Sequence, residues 1–325
     1  MQYRPHLDGL RALAALTVLF FHARVPWFTG GYIGVDLFFV LSGYLITLTF
    51  SENPNLKQFY IRRARRLAPP LYLMLLVYVL VYPNLTEAPH LQHAGLAALY
   101  VSDYSKAFWD APTVLVHTWT LSVEEHFYLV WPVILMYLNP SARQLIIAYV
   151  AATVFRWAWF DAHEAYYKFD TRTSGLILGC FLAKVRVPTF PSWPALIALC
   201  TAVYYLPNWH TERWALDLGV MFAEVLSAAA IIGSAPKWLT WKAIRYTGKI
   251  SYGIYLWHFP ALKVIERYFS HWAITSSLTL ISSFCFAAIS YHTVESYFRK
   301  QKHREPKVHN NIDTLKLPVK PHRTE

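Results

Sequence analysis

The sequence predicts an all-α, polytopic membrane protein of about ten transmembrane helices plus a re-entrant or interfacial segment, and three observations carry that prediction. Of the 325 residues, 55 % are hydrophobic and the mean hydropathy is +0.27, too apolar for a water-soluble domain of this size. The apolar residues gather into runs able to cross a hydrocarbon layer of about 30 Å as helices. Thirteen Trp and 22 Tyr suit rings placed at the headgroup level on both sides, although core packing explains any single ring as well. Ten spans would use about two thirds of the chain, so residues 1–299 are expected to form one transmembrane domain. Residues 300–325 are polar, basic and proline-containing, and are expected to be a disordered cytoplasmic tail.

The first span runs from Leu10 to about Trp27. Arg4 precedes it without a small-x-small cleavage site, so it is expected to be a retained helix. A glycine-rich turn, Gly30 to Gly34, leads to a second span from Val35 to Phe50. Leu56 to Leu67 sets Leu56, Phe59, Tyr60 and Leu67 against Arg62, Arg63, Arg65 and Arg66, the pattern of a short amphipathic helix on the membrane surface. Pro69-Pro70 then opens span three, Leu71 to Pro83, where proline in a first turn is tolerated. Leu91 to Tyr104 is apolar over only about a dozen residues. If it spanned, the basic loops around Lys184/Arg186 and Lys237 to Lys249, and the tail after Arg299, would lie opposite Arg62 to Arg66. As a non-spanning segment it leaves all of them cytoplasmic, which the positive-inside rule prefers. The remaining spans are Thr118 to Leu138, Leu145 to Phe160, Thr173 to Ala183, Pro194 to Leu206, Leu216 to Ile232, Ile250 to Tyr268 and Ile274 to Val294. Both termini are then cytoplasmic.

The net charge of +11 is concentrated in short loops and the tail, a distribution that fits membrane orientation and anionic headgroups better than nucleic acid. Cys180, Cys200 and Cys285 lie in apolar stretches without metal-ligand spacing and read as packing residues, with no disulfide framework.

Charged groups inside the spans are costly and point to chemistry. Arg11 and His22 are eleven positions apart, which returns to within roughly 20° of one helix face and rises about 16 Å. With Arg11 at one boundary, His22 lies near mid-membrane. A snorkelling arginine and an interhelical histidine contact is the alternative. Arg11 and the four arginines Arg62, Arg63, Arg65 and Arg66 share the cytoplasmic face, where guanidiniums grip phosphates with bidentate bonds, although orientation and anionic lipid also call for them. Asp36 opens span two, and Ser42-Gly43 within an aromatic helix allows either a backbone contact or the close approach of a slender acyl group. His117 to Tyr128, at the outer end of the fourth span, holds two carboxylates and two imidazoles beside Trp119, a plausible acid/base or sugar-binding site. Asp170, Arg172, His258 and Glu295 each read individually as an interhelical contact, with a catalytic role as the alternative.

These stretches, namely Arg4-Pro5 with Asp8 to Arg11 and His22, Gly30 to Gly43, Phe59 to Pro69, His117 to Tyr128, Gly248 to His258, and Ser290-Tyr291 with Glu295, lie in order up to about residue 300. In them the chain resembles the integral-membrane acyltransferases that include bacterial O-antigen and exopolysaccharide O-acetylases and nodulation-factor acetylases. The resemblance implies ten membrane helices, a cytoplasmic acyl-CoA donor, and transfer of an acyl group, usually acetyl, to a carbohydrate hydroxyl at the outer side. It implies that His22 is the catalytic histidine, paired with Arg11, and that Arg62, Arg63 and Arg66 belong to the donor site. His126 stands where many relatives have Gln, and Ser174 where an Asp commonly follows Arg172. No fused extracytoplasmic esterase-like domain, which some relatives carry, is expected, so acceptor recognition is expected from the membrane domain or a partner.

The expected site is therefore His22, Arg11, Glu124 and Glu125 as catalytic residues, with Arg62, Arg63, Arg65, Arg66, Ser42 and Gly43 on the donor. Asp36, His117, Trp119, Tyr128 and His258 are expected on the acceptor. Acetyl-CoA is expected as cosubstrate, with no permanently bound cofactor and no metal. The expected partners are a polysaccharide, lipopolysaccharide or other glycan or glycolipid acceptor and membrane lipid, with no nucleic acid and with homo-oligomerisation left open. The expected location is the inner (plasma) membrane. The alternative function is a transporter or flippase for an acylated or anionic substrate, because intramembrane Arg and His also mark substrate paths.

Overall fold

The computed structural model describes residues 3–85 and 87–300; the expected tail beyond them lies outside the described residues. The architecture is all-helical. Four helical stretches are long and apolar enough to cross a membrane, Gly31–Glu52, Leu56–Asn84, Ala215–Ile232 and Trp272–Phe298, so the chain is polytopic. The other helices are shorter or carry charged side chains within the apolar run.

Helix α1 (Pro5–His22) has Pro5 in its first turn, where its missing amide costs nothing. It stops at His22 instead of continuing toward Trp27. Arg24 takes a left-handed backbone (φ 56°), its amide donating to Phe21 O at 3.0 Å and that of Val25 to Phe20 O at 3.0 Å. This pairing satisfies the last carbonyls and terminates a helix. The arginine hides the stop signal that glycine would advertise.

Helix α2 (Gly34–Glu52) follows and is the central element, with 72 % of its apolar window buried against neighbours, against 33–56 % for the other long stretches. Helix α3 (Leu56–Val81) is continuous through Pro69 and Pro70, so the surface helix and third span expected separately are one rod. Proline's fixed φ is helical, and only the amide bonds to the carbonyls one turn back are lost. These are the carbonyls of Arg65 and Arg66, in the polar arginine turn.

The segment 90–109 forms two short helices, α4 (His90–Ala98) and α5 (Ser102–Trp109). At 1.5 Å per residue the longer rises about 14 Å, too little to cross. The Tyr78 hydroxyl meets His90 Nδ1 at 2.7 Å near the segment's start, and the Tyr72 hydroxyl donates to Ala98 O at 3.3 Å near its turn. The chain thus moves back along α3 and then returns beside α6 (Thr118–Tyr137), where Ser122 Oγ accepts the Ser102 amide at 3.1 Å.

Helix α7 (Ala142–Ala158), the short α8 (Ala162–Tyr167) and α9 (Phe169–Arg172), and α10 (Ser174–Leu182) come next. Helix α10 packs on α2 so closely that a Cβ on Gly43 would stand 1.9 Å from Leu176 O, and one on Gly179 2.2 Å from Val40 O. Helix α11 (Trp193–Tyr205) and α12 (Val220–Ile232), the latter entered through a π turn at Ala215–Gly219, complete this side. Helix α13 (Lys242–Lys249) is pressed against the start of α1, where a Cβ on Gly248 would lie 1.8 Å from Asp8 O. Helices α14 (Ser251–Ile265) and α15 (Trp272–Ser290) pair with each other. The three thiols are free. Cys180 is buried, but Cys200 and Cys285 lie on exposed helix faces, so only the first packs in the core.

Candidate functional site

Helix α1 runs between two centres, as its Arg11–His22 register predicts. At the Arg11 end a cavity of about 410 Å³ opens between α1, α2, α3, α6 and α14, a volume ordinary for a small-molecule site. Its cationic side consists of Arg11, Arg62, Arg63 and Arg66. Arg11 is held by Asp8 at 3.2 Å, and the Asp8 carboxylate also accepts from the Tyr3 hydroxyl. Arg63 lies with its guanidinium carbon 3.3 Å from the Tyr128 ring centroid, a stacking geometry that fixes a planar cation. Its Nε is 3.9 Å from Glu125 Oε1. Arg65 does not line the cavity.

Glu124 lines the same cavity and accepts a hydrogen bond from the Ser42 hydroxyl. Glu124, Glu125 and Tyr128 therefore stand with the arginines instead of with His117. The separation follows from helix rise. Glu124 is seven residues from His117, or about 10 Å along α6 toward the arginine end. Gly43, expected beside Ser42 on the donor, instead turns its bare face to Leu176 of α10. Close packing of two helices requires that glycine.

Thr120 and Tyr255 also line the cavity, and their hydroxyls are 2.7 Å apart; the Tyr255 hydroxyl also lies 3.0 Å from His117 O. Immediately beyond are three imidazoles. The Tyr255 ring centroid is 5.3 Å from that of His258 and 5.7 Å from that of His117. His22 Nδ1 is 2.9 Å from His258 Nε2, and Phe259 stands edge-on to His22 at 4.9 Å. His258 and His117 are each 1 % exposed, whereas His22 is only partly buried. The two centres are thus one ring's width apart.

A separate buried network explains other predicted residues. Asp36 Oδ1 accepts from Arg172 at 2.7 Å, with both side chains at most 1 % exposed, so Asp36 is committed to an ion pair instead of facing a ligand. Trp119 is 4 % exposed and packed against Phe39, Tyr166 and Tyr167, which leaves no open face as a sugar platform. Nearby, Arg156 donates to Ser174 Oγ at 2.6 Å and to Glu224 Oε1 at 3.3 Å. Sequence reading overlooked Arg156 and Glu224, although a charge within a predicted span is itself the signal. His126 faces the fully buried Asp103, Nδ1 to Oδ2 3.2 Å.

A family model described as an acyltransferase domain matches residues 4–292. The peptidoglycan O-acetyltransferase OatA of Listeria monocytogenes is 31 % identical, with 92 % of this chain and 56 % of the relative covered. YrhL of Bacillus subtilis, provisionally named a peptidoglycan O-acetyltransferase, is 31 % identical, with 93 % of this chain and 56 % of the relative covered. SAS0844 of Staphylococcus aureus, provisionally named an O-acetyltransferase, is 32 % identical, with 93 % and 58 % covered. The chain thus spans a little over half the length of these relatives. No solved structure matches it.

Proposed function

The chain belongs to the acyltransferase-domain family, and from that membership we propose that it is a membrane O-acetyltransferase moving acetyl from cytoplasmic acetyl-CoA to a hydroxyl of a cell-surface glycan. The observation that carries the reading is the cavity lined by four arginines and by Tyr255, whose ring adjoins His258 and, through it, His22. Arg11, Arg62, Arg63 and Arg66 supply bidentate donors for the phosphates of CoA. The slender pantetheine arm would lie along the cavity wall that Thr120 and Tyr255 help to form. Glu124 and Glu125 act on the donor side in this reading, by holding Ser42 and Arg63 in place.

His22 acts as general base on the acceptor hydroxyl. As the acceptor oxygen bonds to the thioester carbonyl carbon, its proton passes to a ring nitrogen of His22. The carbon–sulfur bond then breaks, and the thiolate of CoA takes that proton back, leaving an O-acetyl ester, free CoA thiol and neutral His22. The proposal includes ten crossing helices, with 90–109 re-entrant and both termini cytoplasmic, in the plasma membrane. A peptidoglycan-type acceptor is favoured by the similarity to the peptidoglycan O-acetyltransferase OatA.

Purified protein in detergent, given radiolabelled acetyl-CoA and peptidoglycan fragments, tests it. The wild type is expected to produce acetylated glycan and free CoA. His22→Ala is expected to lose at least about 100-fold in turnover while binding acetyl-CoA with unchanged affinity. Full turnover by that variant refutes the base, and no acetyl-CoA consumption by wild-type protein with any surface glycan favours a transporter.

A further inference from the structure

Two side-chain contacts determine which nitrogen of His22 is free to act. His258 Nδ1 lies 2.6 Å from Tyr255 O, and a carbonyl oxygen only accepts, so the hydrogen of neutral His258 is on Nδ1. His258 Nε2 is therefore a lone pair, and the atom 2.9 Å from it is His22 Nδ1, which must carry the hydrogen. The tautomer of His22 follows, with a hydrogen on Nδ1 and a lone pair on Nε2. His258 is 1 % exposed, so water does not compete for either contact.

We propose that His258 is a positioning residue: through the chain Tyr255 O to His258 to His22 it locks His22 in the tautomer whose Nε2 accepts the acceptor's proton. This replaces the acceptor-binding role expected for His258, whose two ring nitrogens are both committed within the protein. It rests on the reading of His22 as the base. When His22 takes a proton on Nε2, its Nδ1–H still points at a lone pair, so the imidazolium forms without a new rearrangement.

The test exploits which ring nitrogen an amide side chain can replace. In His258→Gln the side-chain oxygen falls near the place of Nε2 and accepts from His22, but the bond to Tyr255 O is lost. In His258→Asn the side-chain amide reaches Tyr255 O, and nothing accepts from His22. The expected result is kcat within about tenfold of wild type for His258→Gln and about 100-fold lower for His258→Asn, with KM for acetyl-CoA unchanged in both. The reverse order, or equal losses, overturns the proposal, because a residue that merely braces the α14 backbone favours Asn. ¹⁵N spectra of histidine-labelled wild-type protein, with His22 assigned by its absence in His22→Ala, provide a check independent of variant folding. Protonation on Nδ1 supports the proposal, and protonation on Nε2 overturns it. Full activity of His22→Ala would instead remove the underlying reading, so the two failures are distinguishable.

Discussion

The buried pair Asp36–Arg172 offers the sharpest test of how the interior is organised. Its charges are 2.7 Å apart and at most 1 % exposed. At an effective dielectric constant of about 20 such a pair attracts by about 6 kcal/mol, much of it offset by the desolvation of both groups. Removing one partner strands the other charge, at a cost of about 3–5 kcal/mol. Arg172→Met should therefore lower the melting temperature in detergent by roughly 10 °C, read from the fluorescence of the 13 Trp. The double variant Asp36→Asn/Arg172→Met removes both charges and should recover at least half of that loss. Its KM for the glycan acceptor should stay within about threefold of wild type, since Asp36 does not face the cavity. A single variant melting within about 2 °C of wild type, or a double variant no more stable than the single, refutes the reasoning. A double variant that folds but no longer binds acceptor returns Asp36 to the ligand.

Gly43→Ala places a Cβ 1.9 Å from Leu176 O and should destabilise the protein by about 1–3 kcal/mol or more, whereas Leu45→Ala, beside the cavity, should fold with a lower melting temperature but no helix displacement; comparison of their thermal melts and crosslinking between α2 and α10 checks this. Arg63→Lys keeps the charge but loses the planar stack on Tyr128 at 3.3 Å, so KM for acetyl-CoA should rise about tenfold with kcat little changed, as steady-state kinetics would read.

The legible part of the site was the part encoded within one helix. The eleven-residue step from Arg11 to His22 follows from helical periodicity, and α1 indeed joins the arginine cavity to the histidine group. Glu124 and Glu125 were legible as costly intramembrane carboxylates, but their depth was not. That depth depends on where α6 stands beside α14, marked by contacts from His117 Nε2 to Leu256 O and from Tyr255 to Thr120. Gly43 was recognisable as a close-approach residue, and whether it met a ligand or another helix was decided by α10.

By itself the sequence determined an all-helical polytopic protein, the apolar stretches of its helices, the clustering of arginines at one face and the periodic link from Arg11 to His22. These depend on composition and on the 3.6-residue repeat, which are local properties. Only the tertiary structure decided that α1 stops at Arg24's left-handed turn and that α3 runs unbroken through two prolines. It also decided that Asp36 belongs to Arg172, and that His22 meets His258 across 236 positions of chain. Helix pairing and relative depth arise from packing between distant segments, and in an apolar chain many faces are greasy enough to pair, so hydrophobic pattern alone does not choose among them.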